Sequence, residues 1–219
     1  MPAVLTVDQQ DSSTAEDRVP AVLDLLDAEP RPRLLRAFQR TAGDEVQGVL
    51  EDPAAVVETV GRLLRSGGWH VGVGIGPVDE PLPSEARAGR GPAYLHAREA
   101  VERAKSGPHR VAVVGTDAAR AEQLETVLWL WAGLLERRTG PGWEVHDALA
   151  EGISHAEAGR RLGVTQSAVT QRARSAGLVD ERRARRLAAE LLATMLSEPS
   201  GMLAGEQDDR DHTKKEEER

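Results

Sequence analysis

The chain lacks cysteine altogether, has few aromatic residues and contains no long apolar run. Among its 219 residues there is no cysteine, and Phe, Trp and Tyr together make up 3%. Without thiols, neither disulfides nor thiolate metal sites can form, which is typical of a reducing compartment. No apolar segment is long enough to cross a bilayer, and no charged stretch followed by an apolar one stands at the beginning. We therefore expect a cytoplasmic protein of one or two domains that has no membrane partner.

The net charge of −8 is distributed unevenly along the chain. Residues 1–117 carry −5, residues 118–197 carry +1 and residues 198–219 carry −4. Between residues 159 and 186, eight arginines stand against only two acidic residues. The eight are Arg160, Arg161, Arg172, Arg174, Arg182, Arg183, Arg185 and Arg186. A local excess of six positive charges is the pattern expected where a protein contacts phosphates, although a charge run by itself is more often a solvated helix face.

Residues 153–175 have the pattern of two short helices joined by a tight turn. Ser154 and Glu157 form an S-x-x-E capping box, which predicts a helix that begins at Ser154. Gly163 is expected to end this helix and Thr165 to cap the next one. The residues expected at the crossing and in the core are small or apolar: Gly159, Leu162, Val164 and Val169. This spacing predicts a helix-turn-helix.

The second helix of this pair is expected to present polar side chains to double-stranded DNA. Base contacts are predicted for Gln166, Ser167, Thr170 and Gln171 near its start. Backbone contacts are predicted for Arg160, Arg161, Arg172 and Arg174, with Thr165 also counted in the DNA-binding set. The segment is similar to those of winged and MarR-like bacterial regulators, but Ala158 stands where these usually have a larger aliphatic residue. The alternative is a helical hairpin that only packs.

The first half of the chain alternates predicted strands and helices. The strands are predicted at residues 3–7, 34–41, 45–50, 69–76 and 110–115, and the helices at 16–27, 53–66 and 92–106. The fourth strand, WHVGVGIG, carries three glycines on one face, which invites the close approach of another backbone or a ligand. The order β-α-β-β-α-β-α-β predicts an antiparallel or mixed sheet with helices on one side.

Two longer helices are predicted around the helix-turn-helix. The helix at 118–137 has a broad apolar stripe, so it either joins two domains or pairs with its copy in a second chain. A final helix at 180–197, capped by Asp180, has another apolar face. We therefore predict a homodimer that uses these faces. The predicted division is 1–117 for the α+β domain, 118–142 for the connecting or dimerisation helix, 143–197 for the helix-turn-helix domain, and 198–219 for a disordered tail.

Short motifs in the first half resemble known nucleotide enzymes. AGDEV at residues 42–46 resembles the GGDEF motif of diguanylate cyclases, and AREAVERAKSG at 97–107 resembles a helix of the same domains. The order Asp8, Ser12-Ser13, Asp17-Arg18, GDEVQ, GIG, GPA and AR most resembles the SatD family, whose actinobacterial members often add a C-terminal helix-turn-helix. The resemblance covers about residues 3–115 and continues into the tail. It implies an α+β fold with a ferredoxin-like, nucleotidyl cyclase palm-like N-terminal domain, followed by an all-α helix-turn-helix domain.

The resemblance also implies a ligand site in the N-terminal domain. By motif position, Asp8 and Asp44 would hold Mg²⁺ against a nucleotide, Lys105 or Arg98 would contact phosphate, and Glu45 would lie nearby. Structural roles are equally compatible, because aspartates before loops and in Gly-Asp turns are ordinary turn residues. The histidines are scattered, without i,i+4 pairs, so we assign no metal to them. No cofactor is expected, although Mg²⁺ or a nucleotide effector is possible.

Three functions are compatible with these observations. The first is a DNA-binding transcriptional regulator, without catalytic residues, whose N-terminal domain senses a ligand or mediates assembly. The second is a nucleotide-binding or nucleotidyl-cyclase-type enzyme that uses Mg²⁺ at Asp8 and Asp44. The third is an adaptor that binds protein through the same helices. The helix-turn-helix and its arginines favour the first.

Overall fold

In a computed structural model that describes residues 1–12, 14–28 and 33–197, the chain forms a five-stranded sheet and eight α-helices. The strands are β1 (Ala3–Gln9), β2 (Arg36–Arg40), β3 (Glu45–Leu50), β4 (Trp69–Ile75) and β5 (Val111–Gly115). The helices are α1 (Val19–Asp27), α2 (Pro53–Ser66), α3 (Pro92–Ser106), α4 (Ala118–Glu136), α5 (Gly140–Ala150), α6 (His155–Leu162), α7 (Gln166–Ser175) and α8 (Leu178–Ser197). The predicted mixed α+β class is confirmed. The tail expected to be disordered, 198–219, lies outside the described residues.

The strands are arranged in the order β2-β3-β1-β4-β5. Neighbouring strands are antiparallel except β4 and β5, which are parallel, so the sheet is mixed. In the register, Asp8 at the end of β1 stands opposite Glu45 of β3 on one side and His70 of β4 on the other. The topology thus gathers three polar residues at one end of the central strands.

Helices cover both faces of the sheet, so the prediction of helices on one side is wrong. Leu5 and Val7 of β1 belong to a large core that includes residues of α1, α2, α4 and α8. Val4 belongs to a separate cluster on the other face, with Ala93 and Ala97 of α3. Because Ala3, Val4 and Leu5 are consecutive, apolar and fully buried, both faces of this strand need a cover.

The glycines of β4 allow α3 to approach the sheet closely. A Cβ atom on Gly74 would lie 2.1 Å from the backbone nitrogen of Ala97, and one on Gly72 would lie 2.3 Å from that of Val101. The facing positions of α3 are small residues, among them the fully buried Ala93 and Ala97. The bare face of β4, expected to meet a backbone or a ligand, therefore meets the backbone of α3.

Side chains of α3 and α4 cover the outer edge of β5. The Trp129 indole donates to Val111 O over 2.7 Å, and the buried Glu125 carboxylate accepts from Val113 N over 2.7 Å. Arg103 of α3 donates to Val113 O and to Glu125. An open strand edge is a template for pairing with another chain. These side-chain hydrogen bonds occupy backbone groups on the free edge of β5. β5 is an edge strand that is nonetheless well covered.

The apolar faces of α4 and α8, expected at a dimer interface, are buried within the chain. Leu124, Leu128 and Trp131 of α4 and Leu192 and Met195 of α8 all lie in the main core against the sheet. The two helices pack on each other and on β5 or α2, so most of each stripe is covered, although Leu130 of α4 and Leu187 of α8 are exposed. Nor does Asp180 cap the last helix, because α8 begins directly after Gly177, whose φ is +67°. No described helix has the length and apolarity to span a membrane.

The remaining helices form a small unit of their own. Helices α5, α6 and α7 pack around Val145, Ala158 and Val169, each of which is fully buried. We call these three helices the helical unit, and the five strands with α1 to α4 and α8 the sheet body. The chain therefore leaves the sheet body after α4 and returns to it at α8.

Candidate functional site

Local capping bonds position α6 and α7. The Ser154 hydroxyl accepts from Glu157 N over 3.1 Å, and the Thr165 hydroxyl accepts from Ala168 N over 3.1 Å. Gly163 ends α6 in the left-handed conformation at φ +66°, where a side chain would be strained. The Glu157 side chain pairs with Arg160. Of the two bonds in the predicted capping box, the one accepted by the Ser154 hydroxyl is therefore formed, and the Glu157 carboxylate is engaged elsewhere. Both helix boundaries follow from these short-range bonds.

The two helices cross at a single small residue. A Cβ on Gly159 would lie 2.8 Å from Val164 O, so any larger residue would push α6 away from the turn. Val169 of α7 is fully buried beneath this crossing, against Val145 of α5. The opposite side of α7 is consequently directed away from the helical unit.

Most of the predicted base-contacting side chains lie on this outer side. Gln166, Ser167 and Gln171 are exposed, and their side chains make no hydrogen bond that ties them to the described part of the chain. Thr170 is exposed too, but its hydroxyl donates to Gln166 O over 3.0 Å and lies 3.0 Å from His155 Nδ1. The Thr170 hydroxyl is therefore engaged within the protein, which leaves mainly its methyl group for an outside partner.

The four predicted backbone-contacting arginines differ in their present partners. Arg160 pairs with Glu157 and Arg161 with Glu151, on the exposed surface. Arg172 is 33% exposed and lies 3.6 Å from Glu144 of α5. Arg174 is exposed, and no ion pair is found for it within the described ranges. Exposed pairs of this kind contribute little to stability because solvent screens them, so an incoming phosphate can replace the carboxylates.

A group of charged and aromatic residues that the sequence patterns did not indicate attaches the helical unit to the sheet body. Arg65 of α2 makes two bonds of 2.7 Å to the Asp147 carboxylate of α5. The Trp143 ring lies between the guanidinium groups of Arg65 and Arg138, at 4.4 and 4.3 Å from its centroid. Cations over an indole face are attracted by its quadrupole. These contacts hold α5 against α2.

The centre of this attachment is a buried ion pair. Arg138 has a side chain that is 0% exposed, and it donates to Glu181 of α8 over 2.6 Å and to Ala176 O over 3.1 Å. His146 lies beside the same carboxylate, with its Nε2 3.7 Å from Glu181. One arginine thus joins the segment before α5, the end of α7 and the start of α8. The only sequence signal for it was an arginine two residues before Gly140-Pro141-Gly142, a combination that is too common to interpret.

At the end of the sheet, the structure brings together several of the predicted ligand residues. Asp8 is 16% exposed and lies 3.6 Å from Lys105 Nζ. Burial raises the pKa of Asp8 and the nearby Asp44 carboxylate raises it further, while Lys105 and His70 act in the opposite direction. Burial also lowers the pKa of His70, whose Nδ1 lies 3.3 Å from Ala104 O. His70 belongs to this group by register with Asp8, although the sequence patterns did not place it there.

The other two predicted ligand residues are placed differently. Glu45 is held by Thr41, whose hydroxyl donates to its carboxylate over 2.5 Å. Arg98 is exposed on α3, seven residues before Lys105, or roughly 10 Å along the helix axis. Within the described ranges no three His, Asp or Glu side chains are grouped so as to hold a metal ion. Lys105 instead supplies the positive charge nearest to Asp8.

Comparison with protein families gives a match over most of the chain. A family model described as the SatD family matches residues 6–192. The match extends over most of the sheet body and the whole helical unit. No curated protein matches, and no solved structure matches either. Because the family model matches most of the chain, the chain belongs to the SatD family.

Proposed function

We propose that this protein is a DNA-binding transcriptional regulator and that α6 and α7 act as a helix-turn-helix. The observation that carries the proposal is the outer side of α7, where Gln166, Ser167, Gln171 and Arg174 are exposed on a helix whose inner side is fixed by Val169. A surface that only packs within the chain would have these side chains covered. Amide and guanidinium groups are the ones that make paired hydrogen bonds to purine edges.

The dimensions of α7 suit a major groove. Its 10 residues span about 15 Å, and the groove is about 12 Å wide, so the exposed first two turns of the helix can reach base edges. The attachment through Arg65, Trp143 and Arg138 would present α7 in one orientation relative to the sheet body. Because a single small unit buries little DNA surface, we propose two copies per operator.

Recovery of bound genomic fragments, followed by titration of one recovered site, tests this function. We expect binding that weakens steeply with salt and a footprint with two half-sites. Arg174→Ala should weaken binding to specific and nonspecific duplexes alike, because it removes a phosphate contact. Gln171→Ala should instead cost about 1–3 kcal/mol at the preferred site and little elsewhere, because it removes base readout.

The matched control is Gln123→Ala, which changes an exposed glutamine of α4 in the sheet body. Its affinity and specificity should equal those of the wild-type protein. Absence of any duplex binding by the wild-type protein, or identical effects of the Gln171 and Gln123 changes, would contradict the proposed role of α7.

A second candidate function rests on the end of the sheet. The first six elements follow the β-α-β-β-α-β order of the ferredoxin-like motif, which supports the cyclase palm-like interpretation. Asp8, His70 and Lys105 converge there, and a carboxylate with a raised pKa in such a group is a candidate functional residue. This arrangement favours a nucleotide effector, with Lys105 on its phosphates, or a nucleotidyl-cyclase-type reaction with Mg²⁺ at Asp8 and Asp44.

Incubation with ATP or GTP and Mg²⁺, followed by product analysis, separates these possibilities from DNA regulation alone. Turnover that is lost in both Asp8→Ala and Asp44→Ala would make catalysis the main function. Binding without turnover, lost in Lys105→Ala, would identify an effector site.

A further inference from the structure

The surface of the helical unit contains a cleft beside α7. It has a volume of about 330 Å³ and lies between α7 and the segment that joins α4 to α5. Its polar lining consists of Arg137, Thr139, Gln171, Arg172 and Ser175, and Gly142 forms part of its wall. No acidic residue is among those that line it. The cleft is therefore a cationic space with hydrogen-bond donors on several sides.

The two arginines of the cleft are available to an incoming group. Arg137 is exposed, and the described part of the chain provides no ion pair for it. Arg172 is partly exposed, and its partner Glu144 lies at 3.6 Å, longer than a close charge-assisted bond. Glu144 must yield or rotate for Arg172 to bind an anion.

The cleft adjoins the outer side of α7. Gln171 belongs to both, since it is exposed among the predicted base-contacting residues and also lines the cleft. No residue of α6 lines the cleft, so its charges are separate from those of Arg160 and Arg161. A helix in a major groove has a phosphate backbone along each side of the groove, and both need cations beside the helix.

We propose that this cleft receives a phosphate group held by Arg137 and Arg172, and that on bound DNA the group is a backbone phosphate. The assignment to DNA rests on the function proposed above, whereas the phosphate chemistry rests on the cleft itself. Guanidinium groups bind phosphate oxygens in pairs of parallel hydrogen bonds, and Gln171, Thr139 and Ser175 can supply further donors. Arg137, which none of the helix patterns indicated, becomes a binding residue.

Salt dependence of DNA binding is the first test. The loss of one phosphate contact makes the negative slope of log K against log salt less steep by about 0.9. We expect this change in Arg137→Ala, with the slope restored in Arg137→Lys, which keeps the charge. The control is Arg90→Ala, an exposed arginine on a loop at the α3 face of the sheet, which should leave the slope unchanged. Equal slopes for the wild-type protein, Arg137→Ala and Arg90→Ala would overturn the assignment of the phosphate to bound DNA.

Titration of the DNA-free protein with inorganic phosphate is the second test, read from the amide resonances of Gln171 and Ser175. Shifts that saturate in the wild-type protein and vanish in Arg137→Ala support a phosphate site, even if no duplex is bound and the regulator function fails. Absence of saturation in the wild-type protein together with an unchanged salt slope overturns the site. Phosphate binding that persists in Arg137→Ala also overturns it. Saturation lost in Arg137→Ala, without any change in the salt slope, overturns the assignment to DNA.

Discussion

The sheet body and the helical unit use their charged side chains in opposite ways. In the sheet body, Glu125 is buried and bonded to both the β5 backbone and Arg103, and Asp8 has Lys105 beside it. In the helical unit, Arg160 and Arg161 pair only with exposed carboxylates. Glu125 and Arg103 complete the fold of the sheet body, whereas Arg160 and Arg161 of the helical unit can exchange their carboxylate partners for an outside group. We therefore expect substitutions in the sheet body to change stability and substitutions on α7 to change binding.

The largest effect is expected where α3 touches β4. Gly74→Ala places a Cβ against the backbone of Ala97, which cannot move without displacing α3 from the sheet. We expect the free energy of unfolding to fall by at least about 3 kcal/mol, measured by urea denaturation. Gly140→Ala in the helical unit is the control, because nothing lies within 4 Å of the added atom and the stability should change little. Equal stability of the two variants would refute the close packing.

The next effect tests the attachment between the two regions. Arg138→Met leaves Glu181 buried without its main partner, which should cost about 3 kcal/mol. Arg137→Met, at the neighbouring exposed position, should alter stability by less than about 0.5 kcal/mol. Adding Glu181→Leu to Arg138→Met should recover part of the loss, because no charge then remains buried. If both single variants unfold at the same urea concentration as the wild-type protein, the ion pair does not secure the helical unit.

The smallest effect concerns pH. Burial raises the pKa of Asp8 in the folded protein above its value in the unfolded chain. The protonated side chain therefore contributes stability that is complete at pH values below the unfolded pKa and is lost as the pH rises through the folded pKa. Asp8→Asn should remove this loss, so the variant should be at least as stable as the wild-type protein at neutral pH. Asp44→Asn should shift the same window to lower pH, since the Asp44 carboxylate raises the pKa of Asp8. Denaturation profiles from pH 3 to 8 check both, and profiles parallel to that of the wild-type protein would contradict the expectation.

Local patterns predicted much of the fold. The Asp52-Pro53 pair begins α2, where the aspartate accepts from Ala54 N and Ala55 N, and Gly67 ends the same helix. Ser154, Gly163 and Thr165 likewise have the predicted local roles around α6 and α7. Caps and turns depend on residues that are only a few positions apart, so the local sequence is sufficient to predict them.

The attachment site could not be predicted in this way. Arg65 and Asp147, 82 positions apart, are ordinary surface residues in the sequence. Trp143 could equally have packed in the core of the helical unit. Their pairing depends on how α5 meets α2, which no local pattern specifies. The cleft residue Arg137 was missed for the same reason.

The sequence by itself determined the order and approximate bounds of the helices and strands, which side of α7 is polar, and that the arginines cluster near the C-terminal end. Only the tertiary structure decided that α8 returns to the sheet body, that α3 covers the opposite face from α1, α2, α4 and α8, and that Arg138 is buried between three segments. Hydrophobic periodicity indicates which side of a helix or strand is buried. It does not indicate which other element covers that side, because the burial of apolar surface is non-directional. The choice of partner comes from shape, as in the glycine face of β4 against α3, and from long-range polar pairs such as Arg138 and Glu181.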